Sequence, residues 1–142
     1  MKKLLFLLLL STSTIANDSY SWKINRVIDG DTLEIQQDFL PKELDLKVRL
    51  LGIDTPEKAG RAHCKSEADL AIEATRITQE IIDVANKNGE SFIFTNIKWD
   101  KFGGRIDADV FIGKRSLSQE LIKLGVARPY NGGLKQSWCI GE

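Results

Sequence analysis

An α+β fold in a single domain is predicted by three features of this 142-residue chain. Apolar and polar residues alternate through three stretches of the first half. From Ser66 the apolar residues recur instead at three- and four-residue spacing, and alternation then returns for two more stretches before a second helical pattern. A composition of 42% hydrophobic and 28% charged residues supports one soluble core.

The chain begins with a segment of another kind. Met1-Lys2-Lys3 is a positive start, Leu4 to Leu10 is an unbroken apolar run, and Thr14-Ile15-Ala16 supplies small residues at cleavage offsets, so residues 1–16 read as a removed signal peptide and 17–142 as the domain. The apolar run rises roughly 10 Å as helix against about 30 Å of bilayer hydrocarbon, which argues against a membrane span. Removal takes Lys2 and Lys3 and no acid, turning 20 basic and 20 acidic residues into a mature charge of −2. That balance counts against tight, long-footprint nucleic-acid binding, but an enzyme holding one phosphate beside a cation needs less basic excess. Export places Cys64 and Cys139 in an oxidising compartment, where an even count favours pairing over two buried free thiols. Closing so long a loop would stabilise the domain by roughly 4 kcal/mol in the chain-entropy picture.

The elements follow in order. Tyr20–Ile28 and Leu33–Gln37 are β-rich and flank Asp29-Gly30-Asp31-Thr32, whose Asp-Gly dipeptide suits a hairpin turn. Leu46, Val48 and Leu50 alternate with Asp45, Lys47 and Arg49 as a third strand with Arg49 on its polar face. Leu70, Ala74, Ile77, Ile81 and Ala85 mark an amphipathic helix, with Ser66 and Asp69 as a capping-box-like start and Gly89 as its stop. Ser91–Ile97 and Arg105–Ile112 form a hairpin through the turn Asp100-Lys101-Phe102-Gly103-Gly104. Leu117, Leu121 and Leu124 mark a second helix, capped by Ser116 and Gln119 and ended by Gly125. Pro129 to Glu142 is Gly-rich, lacks apolar periodicity and predicts no regular element. This order fits a five-stranded OB-fold barrel with a helix between strands three and four and a second after strand five, although other small α+β sheets share it.

Three carboxylates and two guanidiniums stand out on these segments. Alone, Asp29-Gly30-Asp31-Thr32 is an ordinary turn, but Asp31 shares strand parity with Leu33 and Ile35, and an inward carboxylate is costly unless paired or ligating a cation. Asp54-Thr55-Pro56-Glu57 reads either as an irregular link or as two acids aimed at one small site, Asp54 at a metal and Glu57 at a water. Arg49 and Arg105 are unremarkable singly; together they offer forked donors matched to a phosphate. Histidine and thiol chemistry is disfavoured, since His63 is the only histidine and reads as a surface residue. Asp107 and Asp109 read as the solvated face of a strand, and the dispersed Trp22, Trp99 and Trp138 as packing residues.

The segments VIDGDTLEI, VRLLGIDTPE and DKFGGRIDADVFI, in that order and spacing, resemble the staphylococcal nuclease (thermonuclease) family over about Val27 to Tyr130. The resemblance implies an OB-fold barrel and calcium-dependent hydrolysis of DNA and RNA with little base specificity, leaving 3′-phosphates and 5′-hydroxyls. It implies Asp31 and Asp54 as side-chain calcium ligands and Thr55 as the carbonyl ligand. Arg49 and Arg105 look like the phosphate-binding arginines, Glu57 like the residue that activates or orients water, and Asp29 like a supporting acid. Oxygen-only ligands suit calcium. Two departures stand in the third motif, where Phe102 replaces a frequent tyrosine and an extra glycine precedes Arg105. Where family members often continue into a third helix, Cys139 would tether a short tail to Cys64, and Tyr130 would face the nucleotide. The expectation is an exported monomeric nuclease; the competing one is a catalytically silent OB module that binds nucleic acid or protein.

Overall fold

In the computed structural model, which describes residues 18–38, 40–41 and 43–141, the alternating stretches pair into a curled sheet. The leader expected at residues 1–16 lies outside the described residues. Strands β1 (Tyr20–Ser21), β2 (Lys23–Asp29), β3 (Thr32–Gln36), β4 (Leu46–Leu50) and β5 (Ile53–Asp54) precede helix α1 (Lys65–Lys87). Then come β6 (Phe92–Trp99), β7 (Ile106–Ile112), β8 (Arg115–Ser116), helix α2 (Leu117–Lys123) and β9 (Arg128–Pro129). Among the described residues no helix is long and apolar enough to cross a membrane.

The sheet runs β1-β6-β7-β4-β3-β2, antiparallel except where β4 meets β7. The stretch expected as one strand, Tyr20–Ile28, is two, because it pairs with β6 through β1 and with β3 through β2, and the change of partner falls at Trp22. Those two segments stand at opposite ends of the pairing order, so one stretch of chain curls the sheet into an α+β, OB-like half-barrel. Inward residues of β3, β4, β6 and β7, Leu33, Ile35, Val48, Leu50, Phe94, Ala108, Val110 and Ile112, form the core with Ile82 of α1 and Leu117 and Leu121 of α2.

Gly30 allows α1 to approach the β2–β3 turn. A Cβ there would lie 2.9 Å from that of Ala74 and 3.1 Å from that of Thr55, and the Thr78 hydroxyl donates to the Gly30 carbonyl at 2.9 Å. The start of α1 differs from the expected capping box. Its N-cap is Cys64, whose Sγ accepts from the Glu67 amide at 3.4 Å, while the Glu67 carboxylate reaches back to the His63 amide at 2.7 Å. Asp69 pairs with Lys65 instead, and Ser66 Oγ accepts from the Ile140 amide. A disulfide joins Cys64 to Cys139 with Cα atoms 6.0 Å apart, and that bond places the sulfur at the cap. Gly89, at φ +69°, ends the helix while the Glu90 amide bonds back to the Ala85 carbonyl, as a left-handed cap requires.

The tail is ordered by partners distant in sequence. β9 pairs with β5, Tyr130 N–H donates to the Gly52 carbonyl at 2.9 Å, and Trp138 is 7% exposed. No local pattern signals these contacts, which is why periodicity alone leaves this segment blank.

Candidate active site

One wall of the site follows from strand alternation. Val48 and Leu50 face the core, so Arg49 projects from the other face of β4, paired in register with Thr32 on β3 and with Asp107 on β7. Asp31 is buried as expected, but strand parity does not aim it. It lies in the turn before β3, and its oxygens meet Arg49 Nη2 at 3.5 Å and the Thr32 hydroxyl at 3.1 Å, on the polar face. Burial pushes the Asp31 carboxyl up to about 7, with Arg49 working against the shift and Asp29 adding to it.

Asp29, Asp31, Arg49, Thr55, Glu57, Arg105 and Tyr130 all line one cavity of about 740 Å³. Arg105 reaches it through the β6–β7 turn, where Asp100 accepts from the Phe102 amide at 2.7 Å and from Arg105 Nε at 2.8 Å. Gly103 and Gly104 both sit at φ +75°, so the additional glycine is absorbed as left-handed backbone within the turn. The Phe102 N–H, with Arg105 beside it, holds the Asp100 carboxyl below its ordinary value. Burial, then the neighbouring Asp100, raises that of Asp107. Asp107 lines the large cavity rather than standing on a solvated face. Asp109 does remain at the surface side, accepting from Asn96.

The other wall is built by the tail. Asp54, 4% exposed, does not line the large cavity but an adjoining one of about 420 Å³, shared with Glu57, Arg61, Lys135 and Trp138. Its Oδ2 accepts from the Trp138 indole at 3.0 Å, and Lys135 Nζ stands 2.6 Å from Oδ1. Glu57 is held between two cations, Lys135 at 3.3 Å and Arg61 at 3.1 Å, and Arg61 also reaches Asp29 at 3.5 Å. Burial lowers the Lys135 pKa, but Asp54 and Glu57 outweigh it and hold the group above its ordinary value.

Sequence reasoning missed Asp100, Asp107, Arg61, Lys135 and the position of two tryptophans. Trp99 is 74% exposed and, with Phe102, lines the large cavity, whereas Trp138 is buried against Asp54 and Trp22 packs on Phe94. One signal could have found Lys135 and Trp138: Cys139 follows them closely, and its bond to the residue before α1 carries them towards Asp54 and Glu57.

The chemistry of the acids suits a hard divalent cation, although they are spread over two adjoining cavities, Asp29 and Asp31 on the larger and Asp54 on the smaller. Asp31 and Asp54 are buried carboxylates, Asp29 Oδ1 is buried without a hydrogen-bond partner among the described residues, and all three offer oxygen only. His63 is exposed, and its backbone N–H donates to the Glu67 carboxylate. Compared with known proteins, residues 47–137 match the family described as staphylococcal nuclease homologue, a span that runs from β4 into the tail. No curated protein matches the chain.

Proposed function

The chain belongs to the staphylococcal nuclease family, and from that premise we propose that it is an exported, calcium-dependent hydrolase of phosphodiester bonds in DNA and RNA. It would act as a monomeric domain over residues 17–142 and leave 3′-phosphates and 5′-hydroxyls. The family itself points to nuclease-like activity and nucleic-acid substrates. The observation that carries the finer reading is the convergence of Arg49, Arg105 and Glu57 with Asp31 and Thr55 on one cavity.

In this reading Arg49 and Arg105 grip the scissile phosphate with forked N–H donors and stabilise the charge that develops on its oxygens. Asp31 contacts the Arg49 guanidinium at 3.5 Å and Asp100 that of Arg105 at 2.8 Å, which restrains both. Glu57 orients a water towards phosphorus, in line with the departing 5′ oxygen. Asp31, Asp54 and the Thr55 carbonyl would hold the calcium, which when bound supplies positive charge to the phosphate oxygens. A disulfide between Cys64 and Cys139 and the leader-like start support export.

The test is incubation of the purified domain with single-stranded DNA and calcium, then with a chelator. Cleavage that needs calcium and yields 3′-phosphate ends is expected. Cation-independent binding with no cleavage would instead establish the silent OB module.

A further inference from the structure

Taking Asp54 as a cation ligand, as the reading above does, we propose that Lys135 is an internal counter-ion. Its ammonium occupies the Asp54 cation position until a divalent cation displaces it, and Trp138 selects which carboxylate oxygen is offered.

The two residues differ in how firmly they are held. Trp138 is buried, adjoins the disulfide-bonded Cys139, and has the Arg128 guanidinium 3.7 Å from its ring centroid. Its indole N–H on Asp54 Oδ2 fixes the carboxylate's rotation and leaves Oδ1 as the oxygen for a cation. Lys135 meets that oxygen from the opposite situation. Its side chain is 39% exposed, and Gly132 and Gly133 lie just before it, both at positive φ. An ammonium there can withdraw into water, while the indole cannot.

The Lys135 position also suits exchange by charge. A carboxylate as buried as that of Asp54 is unfavourable without an opposite charge. Lys135 supplies it and bridges to Glu57, so one ammonium holds the ligand acid and the water-orienting acid together. A divalent cation offers the same oxygens twice the charge, and the displaced ammonium remains beside Glu57 and the phosphate cavity that it also lines. The cation then has to compete with a tethered rival, which weakens its apparent affinity.

Calcium affinity is measured by titration calorimetry, and terbium binding by emission sensitised through tryptophan, on the full mature chain and its variants. Lys135→Gln should bind calcium about five- to tenfold more tightly. Lys135→Arg, which keeps the charge, should stay within about twofold of the parent, and Trp138→Phe should bind several-fold more weakly and lose most of the sensitised emission. Lys101→Gln removes the same charge from the β6–β7 turn, where the Lys101 ammonium lies over the Phe102 ring, and should change affinity less than about twofold. If Lys135→Gln binds no tighter than the parent, or if Lys101→Gln tightens binding equally, the counter-ion role is overturned. A parent that binds neither ion overturns the calcium site itself and this inference with it. A parent that binds calcium with Lys135 variants unchanged overturns only the inference.

Discussion

The strand wall and the tail wall of the site are held by different physics. On the strand wall, Arg49 and Asp107 are registered by a backbone ladder whose other face is the hydrophobic core, so their positions are set by the packing that stabilises the whole domain. On the tail wall, Asp54 and Glu57 are held by Trp138, Lys135 and Arg61, side chains on segments without long strands or helices, with one disulfide as anchor. Displacing the first wall would expose core; on the second, Trp138 is buried while the Lys135 and Arg61 side chains are 39% and 67% exposed. Arg49 and the buried Asp31 lie on the first, while Asp54 and Glu57 face the second.

The largest effects should come from the groups proposed to act on the transition state. Glu57→Ser and Arg105→Gly are each expected to lower kcat by a factor of about 10² to 10⁴ while the fold, followed by circular dichroism, survives. Equal turnover in either variant would remove that residue from the proposed roles.

Next comes the anchor. The paired change Cys64→Ser and Cys139→Ser should destabilise the domain by about 4 kcal/mol in denaturant titration. Hydrogen exchange should show residues 128–140 losing protection before β3 and β4. Simultaneous loss in both regions would show that the two walls are one cooperative unit.

Asp31 gives a smaller and pH-dependent effect. Its folded-state carboxyl titrates near 7 against an ordinary 3.8, so the folded protein binds this proton more tightly than the unfolded chain does. The stabilising contribution is complete below about pH 4 and is lost as the pH rises to 7, above which the buried anion is a cost. In calcium-free buffer, Asp31→Asn should therefore stabilise the protein at pH 8 by about 2 kcal/mol and leave it unchanged at pH 4. Thermal melts at the two pH values check the sign, and added calcium should favour the parent over the variant.

The smallest expected effect is at the cavity mouth. Trp99→Ala should raise KM for single-stranded DNA about threefold with kcat unchanged, because an exposed ring there offers a face for base stacking. An unaltered KM would leave Trp99 without a part in substrate capture.

The longer strands, both helices and the candidate acid-arginine set could be read in the sequence because each follows from local chemistry, whereas the short strands β5, β8 and β9 could not. Alternation marks β4, a 3.6-residue period marks α1, and Ser116 caps α2 as its spacing implies, with Oγ accepting from the Gln119 amide at 3.3 Å. What was not legible depends on residues far apart in the chain. Asp107 has the alternation of a solvated residue, and only the parallel register of β4 with β7 sets it beside Arg49. Ser66 has the spacing of a cap, but the disulfide gives that place to Cys64.

By itself, then, the sequence determined the α+β order, the turn that carries Asp31, the pairing of Asp54 with Glu57 along the chain, and the family. Tertiary structure alone decided which of these acids meets which cation. Arg49 goes to Asp31 because a strand ladder places it there, and Lys135 goes to Asp54 because a covalent bond returns the tail to the start of α1. Periodicity encodes which face a residue takes within its own element. Charge pairing across the site is set by how elements meet, and a buried carboxylate accepts whichever cation the fold delivers to it.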